Sequence, residues 1–231
     1  MKLFSKTKSA SCSVALAVAL AAGTALPTVA GADGLTTNIA VSNMYLWRGQ
    51  NLSPNGGVVS GGLNYGLGGL YTGMWTSSET GGHETDLYLG FGGEAGGLSY
   101  DISYWHYLYP EDGKIADSDL SEAVLSLGYG PVKLTAYQSV DDKIGAGATG
   151  DDWLYATLAV SVDKYTLTYG AWTGFEKANQ NASNYSHVTA SFAATEEVSV
   201  SVSVAQAESG KNIVDEDPLF QVSYSKQFDV K

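Results

Sequence analysis

The residues best suited to chemistry in this chain of 231 residues are charged side chains on strand-like segments. Asp101, Glu122 and Lys133 share the parity of the polar face on neighbouring segments. Rings of such charges can set the ion selectivity of a pore. The same residues could equally form a salt-bridge cluster that plugs a narrow barrel, and a lumen of about twelve strands leaves both options open.

Arg48 is the only arginine in the chain. A guanidinium at a strand end could hold the carboxylate of Glu84 or Asp86 in a two-pronged pair. One interpretation is a latch that joins the first and second outer loops. The other is a selectivity charge at the pore mouth, to which Arg48 and Asp86 both contribute.

The histidines allow a test for hydrolytic chemistry. Ser-His hydrolysis needs a base within hydrogen-bond reach of the hydroxyl and a third group that orients it. His83 with Asp86, or His106 with Asp101, could be posed as a dyad, but no motif singles out a serine. Ordinary interfacial histidines also account for the pattern, so we expect no catalytic residue, no metal site and no cofactor.

The acidic balance restricts the partners. The formal net charge is -12, which argues against nucleic acid, since phosphate binding requires a basic face. Most acidic residues fall in or beside the longer gaps, where they should attract cations. The alternative is a solvated acidic surface, or one that binds divalent ions shared with lipopolysaccharide. These residues are Glu79, Glu84, Asp86, Glu111, Asp112, Asp117, Asp119, Asp141, Asp142, Asp151, Asp152, Glu176, Glu208, Asp215, Glu216 and Asp217.

Strands must position these charges, because apolar and small polar residues alternate with period two along most of the chain. Val198, Val200, Val202 and Val204, for example, alternate with serines. The runs are close to the roughly 9 to 11 residues that a strand needs to cross a bilayer. We therefore predict an all-β fold, a transmembrane antiparallel β-barrel of about twelve strands.

The gaps between the strands alternate in length, as in outer-membrane barrels with tight periplasmic turns and extended external loops. The short gaps are 67–69, 95–97, 130–131, 163–164 and 195–196. The longer gaps are 48–57, 77–82, 110–118, 140–151, 174–184 and 208–217. Short and long connections therefore lie at opposite ends of the predicted barrel.

Aromatic residues cluster near the predicted strand ends, as interfacial girdles require. On the short-turn side we expect Tyr65, Tyr100, Tyr129, Tyr165 and Phe228, and on the long-loop side Tyr45, Tyr71, Tyr107, Tyr109, Tyr155 and Tyr185. The five tryptophans also fall on the long-loop side. Three of them, Trp105, Trp153 and Trp172, have the parity of the polar face, so we expect them to narrow the pore mouth.

The first 32 residues have the pattern of a cleaved secretory signal: lysines, a short apolar run and a small-residue site before Asp33. Residues 33–231 would then form the barrel. Cys12 would leave with the leader, so the exported chain would have no disulfide or thiol nucleophile.

Segments 42–49, 69–77, 84–90 and 107–110 resemble the TorF-type porins, a family of bacterial outer-membrane barrel proteins. Family members continue the Arg-Gly pair with a Ser-Gln type pair, whereas Gln50-Asn51 follows here. The resemblance implies an outer-membrane barrel with a channel role, and it implies no particular substrate.

Taken together, the sequence predicts a porin of the cell outer membrane that lets small polar or cationic solutes diffuse passively. Its expected partners are outer-membrane lipid, lipopolysaccharide and small solutes or ions. The alternative is a closed outer-membrane barrel that acts as a hydrolase or a surface anchor.

Overall fold

The alternating segments form the walls of a closed barrel in the computed structural model, which describes residues 33–54, 56–79, 82–109, 120–140, 153–174, 183–208 and 214–230. The predicted leader, residues 1–32, lies outside these ranges. The barrel strands are β1 (Gly34–Ser42), β4 (Val58–Leu67), β5 (Leu70–Glu79), β6 (Gly82–Ala95), β7 (Leu98–Leu108), β8 (Leu120–Tyr129), β9 (Val132–Ser139), β10 (Leu154–Val162), β11 (Tyr165–Thr173), β12 (Tyr185–Ala193), β13 (Val198–Ala207) and β14 (Leu219–Val230).

Each of these twelve strands pairs antiparallel with its neighbours in chain order, and β1 closes the barrel by pairing with β14. The closing register joins Leu35 to Val230 and Ser42 to Ser223. Closure pairs the backbone groups of the edge strands, which a bilayer otherwise leaves without partners. The predicted fold class is confirmed.

The two faces of the wall differ as the alternation requires. Apolar side chains on the outside are exposed, among them Leu158, Leu167, Val200 and Val222. The side chains between them point into the lumen, where Ser201, Ser203 and Gln221 are buried. Such an arrangement turns the apolar face away from the barrel interior, which is the arrangement of membrane barrels. None of the described residues forms a helix long and apolar enough to cross a membrane.

The connections separate by length, as predicted. At one end, here the short-turn end, pairs of residues such as 68–69, 96–97, 130–131 and 163–164 link consecutive strands. The other end is the long-loop end. One expectation was wrong there: strands β5 and β6 extend to Glu79 and Gly82, so the second long gap shrinks to residues 80–81.

A separate hairpin lies between β1 and β4. Its strands are β2 (Leu46–Trp47) and β3 (Gln50–Asn51), which pair only with each other. Leu46 is buried, and Trp47 packs against the cluster of aromatic side chains inside the barrel. We call residues 46–51 the Arg48 hairpin. It fills part of the lumen from the long-loop end.

The aromatic girdle is confirmed only at the short-turn end, where Tyr65, Tyr129, Tyr165 and Phe228 are exposed on the outer wall. The girdle expected at the long-loop end was wrong, because four of its members have lumen parity and are buried inside: Tyr71, Tyr107, Tyr155 and Tyr185. Tyr45 is buried just before the Arg48 hairpin, and Tyr109 packs against the aromatic cluster inside the barrel. Tyr71 also lies next to the 68–69 turn, at the short-turn end. Aromatic rings therefore fill the lumen instead of ringing its outer edge.

Candidate functional site

A tight turn presents Arg48 to the barrel interior. Leu46 pairs with Asn51 and Trp47 with Gln50, so Arg48 and Gly49 form a two-residue turn. Their φ angles are 47° and 84°. Positive φ at both central positions is the geometry of a type I′ turn, whose twist suits a short hairpin.

Gly49 is required by its surroundings as well as by its φ angle. A Cβ at this position would lie 2.5 Å from the ring of His187. The hydroxyl of Tyr185 donates a hydrogen bond of 3.0 Å to the carbonyl of Arg48. Both His187 and Tyr185 belong to β12, so this strand holds the tip of the hairpin in place.

The guanidinium of Arg48 forms a buried ion pair with Glu122 on β8. Nη2 donates to both carboxylate oxygens, at 2.7 and 2.6 Å. Tyr107 on β7 donates to the same carboxylate at 2.7 Å. Glu122 has no exposed surface. The expected pair of Arg48 with Glu84 or Asp86 was wrong, because the hairpin turns into the lumen instead of joining two outer loops.

Five aromatic rings surround the same guanidinium. The centroids of these rings lie 4.4 to 5.7 Å from its central carbon. Attraction between a cation and an aromatic face operates within about 6 Å, and it strengthens when water is excluded. We call this set of rings the aromatic cage: Trp47, Tyr137, Trp153, Tyr155 and Trp172.

Arg48 is nevertheless incompletely satisfied. Its Nε and Nη1 atoms are buried and have no hydrogen-bond partner among the described residues. Leaving a buried donor unpaired costs about 1–3 kcal/mol. Burial is the largest influence on the pKa of Arg48 and acts to lower it, but the interactions with Glu122, Tyr107 and Tyr155 together outweigh burial and raise the pKa above its ordinary value. The guanidinium therefore stays charged in the cage.

Two further carboxylates lie in the lumen near the long-loop end. Glu84 and Asp86 are buried on the inner face of β6. Tyr45 donates a hydrogen bond of 3.1 Å to Glu84. The sequence placed both residues beside an outer loop, whereas β6 begins early enough to bring them inside. Asp86 faces the lumen, and its role as a selectivity charge stays a prediction.

The three charges expected to form one ring occupy different levels. Asp101 pairs with Ser126 of β8, and Glu122 lies four residues from Ser126 on the same strand. At about 3.3 Å per residue this separation is roughly 13 Å. Asp101 and Lys133 lie close enough to interact electrostatically, and Tyr71 donates to Asp101 at 2.8 Å. Asp101 and Lys133 therefore form a second charged level, nearer the short-turn end.

The tryptophans expected at the pore mouth lie inside the barrel. Trp105, Trp153 and Trp172 are buried. Trp105 stacks on Tyr88 with ring centroids 4.4 Å apart, and Trp153 lies 4.9 Å from Trp172. Their lumen parity agrees with the sequence pattern. They pack into the cluster that holds the Arg48 hairpin.

Sequence reasoning did not single out His187 for this site. Its Nε2 lies 2.7 Å from the hydroxyl of Tyr155, and its Nδ1 lies 3.0 Å from Thr189. Thr189 in turn lies 2.8 Å from Ser203. The available signal was parity, since His187 alternates in phase with the lumenal Thr189. These bonds fix the orientation of Tyr155, one wall of the aromatic cage.

Neither of the two histidine dyads weighed from the sequence forms. His106 and Asp101 point to opposite faces of β7, and His83 and Asp86 point to opposite faces of β6. His106 instead contacts Ser121, with 2.9 Å between Nδ1 and Oγ. This pair lies on the outer face of the wall, and Ser121 is only 2 % exposed.

Much of the predicted acidic mouth lies outside the described residues, namely Glu111, Asp112, Asp117, Asp119, Asp141, Asp142, Asp151, Asp152 and Glu176. Glu208, Asp215, Glu216 and Asp217 are described beside the long-loop end of β13 and β14. Within the described ranges, no three or more His, Cys, Asp or Glu side chains are grouped to hold a metal ion.

Comparison with known proteins supplies a family and a fold. A family model described as "Bacterial protein of unknown function (Gcw_chp)" matches residues 27–225. It does not carry the TorF-type name, so that resemblance stays a prediction. No curated protein gives a significant match.

Solved structures resemble the chain in fold. A structure described as "Unveiling the Mechanism Behind the in-meso Crystallization of Membrane Proteins" has a TM-score of 0.52 and 9 % identity, over 85 % of each chain. Outer membrane phospholipase A from Escherichia coli has a TM-score of 0.46 and 12 % identity, over 84 % of this chain and 92 % of its own. An outer membrane channel from Pseudomonas putida F1 has a TM-score of 0.43 and 15 % identity, over 85 % and 96 %. At such low sequence identities the resemblance shows the fold alone.

Proposed function

The chain belongs to the Gcw_chp family of bacterial proteins, and from its geometry we propose that it is an outer-membrane channel for small polar or cationic solutes. The observation that carries this proposal is the inverted wall, with apolar side chains exposed outside and polar side chains inside. A barrel of this kind encloses a hydrophilic path between its ends. The resemblance to TorF-type porins supports the same role.

The charges along this path favour cations. Glu84, Asp86 and Glu122 are buried in the lumen near the long-loop end, where Arg48 is the positive charge among the described residues that pairs with Glu122. Asp101 and Lys133 balance each other further along. Rings and clusters of carboxylates favour cations in a pore. The predicted acidic loops would add to this preference by raising the local cation concentration.

In this proposal the described conformation is a closed state of the channel. The Arg48 hairpin and the aromatic cage fill the lumen near the long-loop end, and Glu122, Tyr107 and Trp172 are almost inaccessible there. Solute passage therefore requires the hairpin to leave the cage. The channel would be gated, and it would need neither a cofactor nor a catalytic residue.

Planar-bilayer recording of the refolded protein under a salt gradient tests the proposal. We expect discrete openings whose reversal potential shows preference for cations. Complete absence of openings from folded protein, at any voltage or salt concentration, would refute the channel, and a preference for anions would refute the selectivity. The expected membrane partners, lipid and lipopolysaccharide, can be included in the bilayer.

A hydrolase is the second candidate, because His106 and Ser121 form a hydrogen-bonded pair on the outer wall. Burial of Ser121 argues against access by a substrate. Release of fatty acid from phospholipid vesicles measures this activity directly. Hydrolysis that disappears in both His106→Ala and Ser121→Ala, with folding retained, would favour the enzyme over the channel.

A further inference from the structure

Four rings of the aromatic cage, Tyr137, Trp153, Tyr155 and Trp172, form with Glu122 a cation-binding site at the barrel wall, here called the receptor, and the side chain of Arg48 occupies it. We infer that this receptor binds guanidinium or alkylammonium solutes from outside, and that Arg48 is a built-in competitor for it. The consequence for solute flow rests on the proposed channel function. The binding itself does not.

The receptor belongs to the wall and not to the hairpin. Tyr137 lies on β9, Tyr155 on β10 and Trp172 on β11, while Trp153 immediately precedes β10. Glu122 lies on β8. Only Trp47, of the five rings, moves with the hairpin. Four rings and the carboxylate therefore stay together when Arg48 leaves.

The wall around the receptor is held in place independently of Arg48. Tyr107 donates to Glu122, and His187 bonds the hydroxyl of Tyr155. Trp172 packs within 4.9 Å of both Trp153 and Tyr155, measured between ring centroids. A preformed cavity of this kind binds with little loss of conformational freedom.

Arg48 uses the receptor imperfectly, which leaves room for a competitor. Only its Nη2 contacts the carboxylate, and Nε and Nη1 are buried with no hydrogen-bond partner among the described residues. The Arg48 hairpin fixes this approach, because the side chain leaves a two-residue turn pinned by Tyr185. A free guanidinium can rotate until two of its nitrogens each meet one carboxylate oxygen, the geometry that favours Arg-carboxylate pairs.

Arg48 also competes well with a free solute because it is covalently part of the same chain. A tethered ligand acts at a high effective concentration, so a free solute binds the intact protein more weakly than it binds the empty receptor. Apparent affinity falls in proportion to the fraction of receptors that are empty. A solute that does bind displaces the hairpin from the lumen. Solute and gate are thereby coupled through one site.

The test uses ethylguanidinium as the probe and ethylurea, its neutral counterpart of similar shape, as the control. Tryptophan fluorescence of the refolded protein reports binding, because Trp153 and Trp172 line the receptor. We expect saturable binding of ethylguanidinium to Arg48→Ala, at least about tenfold tighter than to the unmodified protein. Arg48→Lys, which returns a cation to the cage, should bind it as weakly as the unmodified protein does.

Arg48→Gln, which keeps length without charge, is measured alongside in case the alanine variant folds poorly. The double variant Arg48→Gln, Glu122→Gln should lose the binding. The inference is overturned if folded Arg48→Ala and Arg48→Gln bind no ethylguanidinium, if ethylurea binds equally well, or if the unmodified protein binds as tightly as they do.

Current recordings separate the two proposals. Binding without any current, in every variant, would refute the channel and leave the receptor intact. Current through Arg48→Ala without ethylguanidinium binding would refute the receptor and leave the channel intact. The channel and the receptor are both supported if ethylguanidinium reduces the current through Arg48→Ala and ethylurea does not.

Discussion

Arg48 and Glu122 form a charge pair that neither residue can leave without cost. Both are buried, and the aromatic cage excludes water from the guanidinium. A buried charge that loses its partner is strongly destabilising, although the intact pair is not necessarily a large source of stability. The pair is therefore better understood as a device that selects one position of the Arg48 hairpin.

Replacing Glu122 with Gln should lower the free energy of unfolding by about 3–5 kcal/mol, because the guanidinium would remain buried without a counter-charge. The matched control is Glu197→Gln. Glu197 pairs with Lys226 at 2.9 Å, but both side chains are exposed, so this substitution should have little effect. Urea unfolding in lipid vesicles compares the two. Equal losses would contradict the account.

Gly49→Ala should weaken the docking of the hairpin. A non-glycine residue at positive φ costs about 1–3 kcal/mol, and the added Cβ would meet the His187 ring. Gly56→Ala is the control, because nothing lies within 4 Å of its Cβ position. Protease cleavage within the hairpin should accelerate in Gly49→Ala alone. Unchanged cleavage in both variants would show that the turn does not depend on Gly49.

For single residues, the sequence predicted which side chains face the lumen better than it predicted which side chains they contact. The parity of Glu122 and Trp172 identified them as lumenal, because parity is a local property of a strand. The pairing of Arg48 with Glu122 joins residues 74 positions apart. Local patterns do not reveal that a short hairpin folds into the lumen, so Arg48 was assigned the wrong carboxylates.

The strands act as two-sided elements, and each side sets a different environment. Leu158 lies midway along β10 and is 46 % exposed on the outer face. Thr168 lies on the inner face of the neighbouring β11, at nearly the same height, since Leu158 pairs with Tyr169. Substitutions at Leu158 and Thr168 therefore compare a side chain that faces lipid with one that faces the lumen, at the same depth.

Leu158→Arg should lower the free energy of unfolding in lipid by about 2–4 kcal/mol, because a cation near the middle of the bilayer costs that much. Thr168→Arg should cost less, because its side chain faces the polar interior. Refolding into vesicles at a series of urea concentrations measures both. A larger loss for Thr168→Arg would contradict the assignment of the two faces.

Strands and short turns were predictable because period two and glycine-rich breaks are properties of neighbouring residues. The aromatic residues were less predictable. An aromatic residue near a strand end suits either a girdle or a lumen, and only its parity distinguishes the two. Tyr107, Tyr155 and Tyr185 follow the lumen parity, which takes precedence over their position near the strand ends.

The two ends of the barrel differ. Short turns lie at one end, and the long connections and the Arg48 hairpin lie at the other. The apolar side chains on its outer wall are unfavourable in water and are suited to lipid. If the protein lies in an outer membrane, the short turns face the periplasm and the long loops face the exterior. In the proposed channel, the hairpin would then close the lumen from the outside.

This orientation can be tested with single cysteines, since the only native cysteine is Cys12 in the predicted leader. Gly56 and Lys164 are both exposed, at the long-loop and short-turn ends respectively. A membrane-impermeant maleimide should label Gly56→Cys on intact cells. It should label Lys164→Cys only after the outer membrane is permeabilised. The reverse pattern would invert the proposed orientation.

The most direct test of the account compares single-channel conductance in planar bilayers between the unmodified protein and Arg48→Ala, with Arg48→Lys as the control. We expect rare or small openings for the unmodified protein and for Arg48→Lys, and larger, more frequent openings for Arg48→Ala. Folded Arg48→Ala that conducts no better than the unmodified protein would contradict the claim that this hairpin closes the barrel.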